Sequence, residues 1–283
     1  MRQCRSGKAE CGRAEPHNVF IRRKEEKMSI LEVNHIKKIY RTRMGGDEVT
    51  ALRDVHFSVE PGEFVAIMGE SGSGKTTLLN ILASLDKPTA GKVLVDGRDF
   101  TTLKDNERAI FRRSKLGFIF QDFNLLDNFS VEDNIKLPLV LAGEDYRKMD
   151  EKVRPIAKSL EIEELLKKYP YEISGGQKQR TAVARALITN PRILLADEPT
   201  GALDSKAAGN LMKQLCGINQ TGQTILMVTH SNVAASYAKR VMFIKDGQVY
   251  HQIYRGELSR SEMLDKICDA VTVLMRGGED SES

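Results

Sequence analysis

A glycine-rich loop at residues 69–76, Gly-Glu-Ser-Gly-Ser-Gly-Lys-Thr, is the feature that most constrains how this chain can fold. The apolar run at 64–68 predicts a buried strand before it, and residues 77–85 predict a helix after it. Glycines let backbone N–H groups surround an anion, and a helix N-terminus adds the positive end of its dipole. This order predicts a nucleotide-phosphate site, with Lys75 at the β- and γ-phosphates and the Thr76 hydroxyl on Mg²⁺. The alternative is a plain glycine-rich turn.

Two acids follow the apolar run at 193–196, which predicts another buried strand. Asp197 stands where a carboxylate can hold Mg²⁺ through water, and Glu198 is placed to polarise an attacking water as general base. A strand that ends in two acids is also compatible with a solvated strand end. Together with the loop at 69–76, the pair favours a metal ligand followed by a catalytic base.

A second anion site is indicated at residues 174–177, Ser-Gly-Gly-Gln, which have the pattern of a capping box opening a helix to Ile188. Two glycines at the start of a helix lower its propensity, but they leave backbone amides bare for an anion. Because the loop at 69–76 already surrounds the phosphates of its own subunit, this site is predicted to serve the nucleotide of a partner subunit. The simpler alternative is a well-capped helix.

Given these motifs, three single residues are predicted to contact the nucleotide or its metal ion. Gln121 ends the apolar run at 117–120 and is placed to reach Mg²⁺ and the attacking water. His230 ends the run at 225–229 and is placed to hydrogen-bond the γ-phosphate. Tyr40 offers an aromatic face for adenine. The ordinary alternatives are a surface histidine at a strand end and a strand aromatic.

Composition excludes several functions. Of the formal net charge of +4, residues 1–27 supply all four units, so the rest of the chain is neutral and lacks a basic surface for nucleic acid. Four scattered cysteines have neither zinc-site spacing nor a disulfide pattern, which favours reduced thiols in a cytosolic protein. Because apolar runs stay short of 18 residues, any membrane role is expected to come through a partner.

The chain divides into three parts. Residues 1–27 are interpreted as a disordered extension, or as a segment absent from a natural protein that starts at Met28. Residues 28–256 alternate strands and helices, with a mostly helical lobe inserted at about 125–190, in which 146–168 is expected to be helical. Residues 257–283 form an amphipathic helix and an acidic tail; Gly277-Gly278 is expected to end the helix, which packs on its own domain or on a partner.

The order and spacing of these motifs resemble the ATP-binding subunit of an ABC transporter over about residues 30–255. The resemblance rests on Tyr40, the loop 69–76, Gln121, 173–177, 197–198, Ala202-Leu203-Asp204 and His230. Segments 118–126 and 197–204 are similar to the macrolide- and lipoprotein-exporter branch. Within that branch, residues 253–257 and the tail resemble the bacitracin and antimicrobial-peptide resistance ATPases.

The resemblance implies an α/β P-loop NTPase fold, with a RecA-like core, an antiparallel β subdomain and an inserted helical lobe. It implies an ATPase that uses ATP and Mg²⁺, forms a homodimer around two ATP molecules, and drives an integral membrane permease, here for antimicrobial peptide export or resistance. The subunit is expected to be cytoplasmic and peripheral on the inner face of the cell membrane through that permease.

The site residues follow by role. The expected catalytic residues are Glu198, His230 and Lys75. The expected metal ligands are Thr76, Gln121 and Asp197. The expected ATP-binding residues are Tyr40, Gly69, Glu70, Ser71, Gly72, Ser73, Gly74, Lys75, Thr76, Thr77, Ser174, Gly175, Gly176 and Gln177.

Other functions of such an ATPase remain as alternatives. Chromosome and DNA-repair clamps carry long coiled coils between the two halves of the site, where this chain has about a hundred residues of ordinary lobe. Ribosome-acting ABC factors carry two ATPase units in one chain, and this chain has one. A regulatory complex that signals to a cell-wall enzyme or a sensor kinase would use a similar sequence.

Overall fold

The computed structural model describes residues 29–41 and 48–279, with the backbone alone for residues 275–279. Residues 1–27 and the start expected at Met28 lie outside this part of the chain, so their interpretation stays a prediction. None of the helices in these ranges combines the length and the apolar character needed to cross a bilayer. The described cysteines, Cys216 and Cys268, are free thiols.

The described residues form a single ten-stranded mixed sheet with eight α-helices around it. The strands are β1 Leu31–Arg41, β2 Glu48–Val59, β3 Phe64–Met68, β4 Ala90–Val95, β5 Arg98–Asp99, β6 Leu116–Ile119, β7 Ile193–Asp197, β8 Thr224–Val228, β9 Arg240–Lys245 and β10 Gln248–Tyr254. The helices are α1 Lys75–Leu82, α2 Asp105–Lys115, α3 Val131–Leu141, α4 Tyr146–Ser159, α5 Gly175–Leu187, α6 Ser205–Gln220, α7 Asn232–Ala235 and α8 Arg260–Glu279. The spatial order of the strands is β5-β4-β1-β2-β10-β9-β3-β8-β7-β6.

The half of the sheet from β9 to β6 is parallel. Its strands are continuous apolar runs because both faces are covered: along β3, Ala66 faces one apolar cluster and Ile67 faces the other. Ile67 and Asp197 both pair with Val228, so the carboxyl ends of β3, β7 and β8 meet at one edge. Ligands of open α/β sheets bind at such an edge.

The other half of the sheet is antiparallel, with β1 between β2 and β4 and with β5 at the margin. Asp96 and Gly97 form the hairpin turn that connects β4 to β5, and both have positive φ, 50° and 72°. Strand β10 is antiparallel to β9 and meets β2 at the pair Gln248–Asp54. This pair joins the two halves.

Helices α3, α4 and α5 come between β6 and β7 in the sequence and pack on one another as the inserted lobe. Their shared apolar cluster includes Ile135, Val153 and Val183. The helical stretch expected over 146–168 is confirmed for 146–159 and is interrupted after that. Helix α4 ends at Ser159, because Glu161 adopts the left-handed region at φ 55°, and a 3₁₀ turn follows at Glu163–Leu165.

Helix α8 packs on its own domain. Met263 and Ile267 are completely buried, and Val271 packs beside them against the cluster that also holds α7 residues. The expected end at Gly277-Gly278 is wrong, since the helix continues to Glu279. Glycine lowers helix propensity by about 1 kcal/mol, but it retains the N–H group that continues the hydrogen-bond ladder.

A buried asparagine fixes the loop that follows Gln121. The Asn134 side chain, completely buried on α3, accepts a hydrogen bond from Leu126 N at 2.8 Å and donates to Leu126 O and Phe129 O at 3.1 and 3.2 Å. One side chain therefore satisfies three backbone groups of a loop that has no regular hydrogen-bond ladder.

We expect Asn134→Ala to destabilise the protein by about 1–3 kcal/mol, because these backbone groups lose their partner inside the lobe. Urea unfolding of the protein without added ligand measures the change. Asn210→Ala, at an exposed position of α6, is the matched control, since both substitutions bring the same gain in helix propensity. Equal stability of the two variants would contradict this role.

Candidate active site

The glycine-rich loop is wedged between neighbouring strands. Gly69, directly after β3, has φ 156°, and a Cβ there would lie 2.2 Å from Ile244 O. Gly74, directly before α1, has φ 101°, and a Cβ there would lie 2.5 Å from Ala51 O. Glycine is therefore required at both ends of the loop, and α1 begins at Lys75, so the unpaired N–H groups of its first turn lie at the loop.

Most of the predicted phosphate and metal residues converge on one cavity of about 540 Å³ at the carboxyl edge of the sheet. The sequence-predicted residues that line it are Gly69, Ser71, Gly72, Gly74, Lys75, Thr76, Thr77, Gln121, Asp197, Glu198 and His230. Glu70 and Ser73 instead line an adjoining cavity between the loop, the end of β9 and α8.

The Lys75 side chain folds back from α1 onto the start of the loop. Its Nζ donates hydrogen bonds to Gly69 O at 2.8 Å and Glu70 O at 2.6 Å. Burial lowers the pKa of Lys75, and the negative charges of Glu198 and Asp197 act in the opposite direction. The ammonium group is therefore close to both acids as well as to the loop.

Asp197, the last residue of β7, is half-buried at the edge of the sheet. Burial and the neighbouring charge of Glu198 raise the pKa of Asp197, whereas the charge of Lys75 lowers it. Thr76 and Gln121 line the same cavity. A hydroxyl, an amide and a carboxylate make a set of oxygen donors, which suits Mg²⁺.

The carboxylate of Glu198 is held by the end of β8. It accepts hydrogen bonds from Thr229 Oγ1 at 3.0 Å and from His230 N at 2.9 Å, and its Oε1 lies 2.8 Å from His230 Nδ1. The Glu198 side chain is 13% exposed and that of His230 is 74% exposed. Direct pairing of the two expected catalytic residues, and the part played by Thr229, were not predicted from the sequence.

Tyr40 lies on β1, outside the residues that line this cavity. Its hydroxyl donates to Asp86 Oδ2 at 2.9 Å, and the Lys38 ammonium lies 4.8 Å from its ring centroid. Burial raises the pKa of Tyr40, and a hydrogen bond with Thr77 opposes that rise. Tyr40 therefore borders the site through Thr77, with Lys38 on one face of its ring.

The motif Ser174–Gln177 lies apart from the loop. Its capping box is confirmed: Ser174 N donates to Gln177 Oε1 at 2.8 Å, and Gln177 N donates to Ser174 Oγ at 3.4 Å. Ser174–Gln177 line one side of a second cavity, and Asp204 also lines this cavity. Among the described residues that line it, none belongs to the loop 69–76, so one chain keeps the two phosphate motifs in separate cavities.

Gln179 supports the site from behind, and sequence reasoning missed it. Its side chain is completely buried on α5, and Nε2 donates to Pro199 O at 2.9 Å and to Phe120 O at 3.4 Å. Gln179 thereby ties the helix that Ser174 caps to the segments that follow β6 and β7. A single glutamine in a polar stretch carries no sequence signal for this contact.

Comparison with known proteins agrees with this geometry. A family model described as "ABC transporter" matches residues 52–201, more than half of the chain. The ABC transporter ATP-binding protein YxdL of Bacillus subtilis is 49% identical, over 90% of this chain and 98% of that protein. The bacitracin export ATP-binding protein BceA of Halalkalibacterium halodurans is 51% identical, over 87% of this chain and 97% of that protein.

A solved structure of the ATP-binding cassette MJ0796 from Methanocaldococcus jannaschii, a dimer in a post-hydrolysis state bound to ADP and Pi, is similar in fold. Its TM-score is 0.72 at 39% identity, over 81% of this chain and 99% of that one. The fold, the phosphate loop and these relatives agree, and this chain belongs to the ABC transporter family, as an ATP-hydrolysing, ATP-binding subunit.

Proposed function

We propose that two copies of this chain close around two ATP molecules and that this closure drives a membrane permease. Each ATP would lie between the loop 69–76 of one copy and Ser174–Gln177 of the other. The observation that carries the proposal is the separation of the two phosphate motifs into different cavities of one chain. A second copy brings the missing half to each nucleotide, and the dimeric cassette MJ0796 supports this assembly.

Within each site, Lys75 would neutralise charge on the β- and γ-phosphates, and Glu198 would accept a proton from the attacking water. Thr229 Oγ1 and the His230 amide hold the Glu198 carboxylate, so its orientation is set before substrate binds. The amides of the loop and of the first turn of α1 would bind the phosphate oxygens.

His230 would contact the γ-phosphate through Nε2, because Nδ1 faces Glu198. A carboxylate only accepts hydrogen bonds, so Nδ1 carries the proton in this pair. The neutral ring then presents Nε2 as an acceptor, and donation from Nε2 to a phosphate oxygen requires the charged imidazolium. A charged ring would place its positive charge beside the reacting phosphate.

The remaining predicted residues would position the nucleotide. Thr76, Gln121 and Asp197 would hold Mg²⁺, which neutralises charge between the phosphates. Lys38 lies over one face of Tyr40, so adenine would stack on the opposite face. Glu70 and Ser73 would contribute through the backbone of the loop, since both lie beside the neighbouring cavity.

The proposed physiological role is antimicrobial peptide export or resistance, with the subunit on the cytoplasmic face of the membrane. The name and the 51% identity of the bacitracin export protein BceA support this substrate class. A relative named for export also favours a transporter over the regulatory alternative.

The test is to purify the tagged full-length chain with its partner from detergent-solubilised membranes and to measure ATPase activity with bacitracin and with a scrambled linear peptide. We expect a polytopic permease to co-purify, and we expect bacitracin, but not the scrambled peptide, to stimulate ATPase activity. Purification without a permease would contradict the proposal.

Glu198→Gln should lower ATP turnover by about 10²–10⁴-fold, because an amide does not take the proton from water. The variant should still bind ATP and should accumulate closed dimers, which size-exclusion chromatography with light scattering detects. Glu257→Gln changes an exposed glutamate in the same way and is the matched control. Normal turnover in Glu198→Gln would remove Glu198 from the base role.

Ser174→Arg should abolish turnover and leave nucleotide binding to the monomer measurable, because the bulky cation blocks the surface offered to the partner's nucleotide. Ser174→Ala loses the same helix cap, at about 1 kcal/mol, without added bulk. Comparing the two variants in ATPase and fluorescent-nucleotide assays separates the blocked surface from the lost cap. Hydrolysis at the wild-type rate in Ser174→Arg would rule out the shared site.

A further inference from the structure

Two histidines and an aspartate form an exposed cluster on the antiparallel half of the sheet. His35 of β1 and Asp54 and His56 of β2 each offer one ligand atom, and these atoms all lie within 4.8 Å of one another. His35 Nδ1 is 2.9 Å from Asp54 Oδ1. The rings of His35 and His56 are stacked, with centroids 5.3 Å apart and planes inclined by 21°.

Strand alternation accounts for two of the three residues. Asp54 and His56 are two positions apart on β2 and share its exposed face, whereas Val55 and Phe57 are buried on the opposite face. Two potential ligands therefore point outward side by side, without any special backbone feature.

A β-bulge accounts for the third residue. Val33 pairs with Phe57 and Ile36 pairs with Val55, so two residues of β1, one of them His35, oppose His56 alone. Bulges bend a strand and re-aim a side chain, and here the bulge sets the His35 ring beside that of His56.

The bulge is an unfavourable local conformation that the neighbouring strand accommodates. His35 has φ 51°, in the left-handed region that residues other than glycine rarely adopt. On β4, a Cβ at Gly91 would lie 2.3 Å from His35 O, so glycine leaves the room that the bulge occupies. Strained backbone of this kind often marks a functional position.

We propose that His35, Asp54 and His56 bind a divalent transition-metal ion of the Zn²⁺ type. Two imidazole nitrogens and one carboxylate are ligands that Zn²⁺ takes at about 2.0–2.2 Å, with water in the fourth position. In a tetrahedral site such ligand atoms are roughly 3.3 Å apart, so exposed side chains need only small rotations from the separations seen here. Mg²⁺ prefers octahedral oxygen ligands and does not compete for this set.

The ion would cross-link β1 to β2, outside the phosphate cavity. Strand β2 also carries Ala51, whose carbonyl lies against Gly74 at the end of the phosphate loop. On β2, the contact with the loop at Ala51 is therefore three residues from Asp54. Because folded protein binds the ion and unfolded chain loses the site, Zn²⁺ should raise the unfolding temperature.

The test is isothermal titration of the full-length protein with Zn²⁺ in excess Mg²⁺, together with thermal unfolding. His35→Asn retains a residue that tolerates the left-handed region, so the fold is preserved while the ligand is lost. This variant and His56→Ala should each weaken binding at least about tenfold and abolish the thermal shift, since even changes beside metal ligands cost 10–100-fold. His251→Ala, at an exposed position of β10, is the matched control and should bind as the wild type does.

Co²⁺ absorption identifies the ligands independently of activity. A site of two histidines and one carboxylate gives visible bands without the near-ultraviolet thiolate charge-transfer band, whereas Cys268 or another cysteine would produce that band. Titrations that show no bound Zn²⁺, equal binding by wild type and His35→Asn, or a thiolate spectrum would each overturn the proposal.

Discussion

The Glu198 carboxylate is held by hydrogen bonds from Thr229 and His230, and the proposed chemistry of the site depends on this contact between the ends of β7 and β8. Hydrogen bonds to a charged acceptor contribute about 1.5–3 kcal/mol each, enough to keep a side chain in one orientation. The contact exists because these strands are neighbours in a parallel sheet, although Thr229 is 31 positions from Glu198 in the sequence. The pairing of β7 with β8 therefore also sets the orientation of the proposed base.

A chain of buried polar contacts connects this edge to the helical lobe. Gln179 reaches from α5 to the carbonyls of Phe120 and Pro199, and the Arg185 guanidinium, also on α5, donates to Phe123 O at 2.8 Å. Asn134 holds the far end of the same loop from α3. These contacts would carry a movement of the lobe to the segment that holds Gln121, which would link the proposed dimer closure to the phosphate cavity.

Much of this architecture follows from local sequence rules. The apolar runs predicted β3, β7 and β8, and the glycine pattern predicted the strand–loop–helix unit around Lys75, because periodicity and required positive φ are local properties. The paired strand ends at Glu198 and His230, and the buried contacts of Gln179, depend on three-dimensional neighbours and carry no local signal. Two helix ends were also wrong. Glu161 ends α4 in the left-handed region, where glycine would be the usual sequence signal, and the glycine pair at 277–278 does not end α8.

The C-terminal helix α8 packs near the segment that follows His230, although it is remote from that residue in the sequence. Helix α8 packs on α7, the short helix two residues after His230, and Asn232 Nδ2 approaches Cys268 Sγ at 3.5 Å. Lys245 Nζ, at the end of β9, donates to Leu274 O at 3.3 Å. A substitution on the buried side of α8 would therefore alter the packing of α7, which follows His230, without changing a residue of the phosphate cavity.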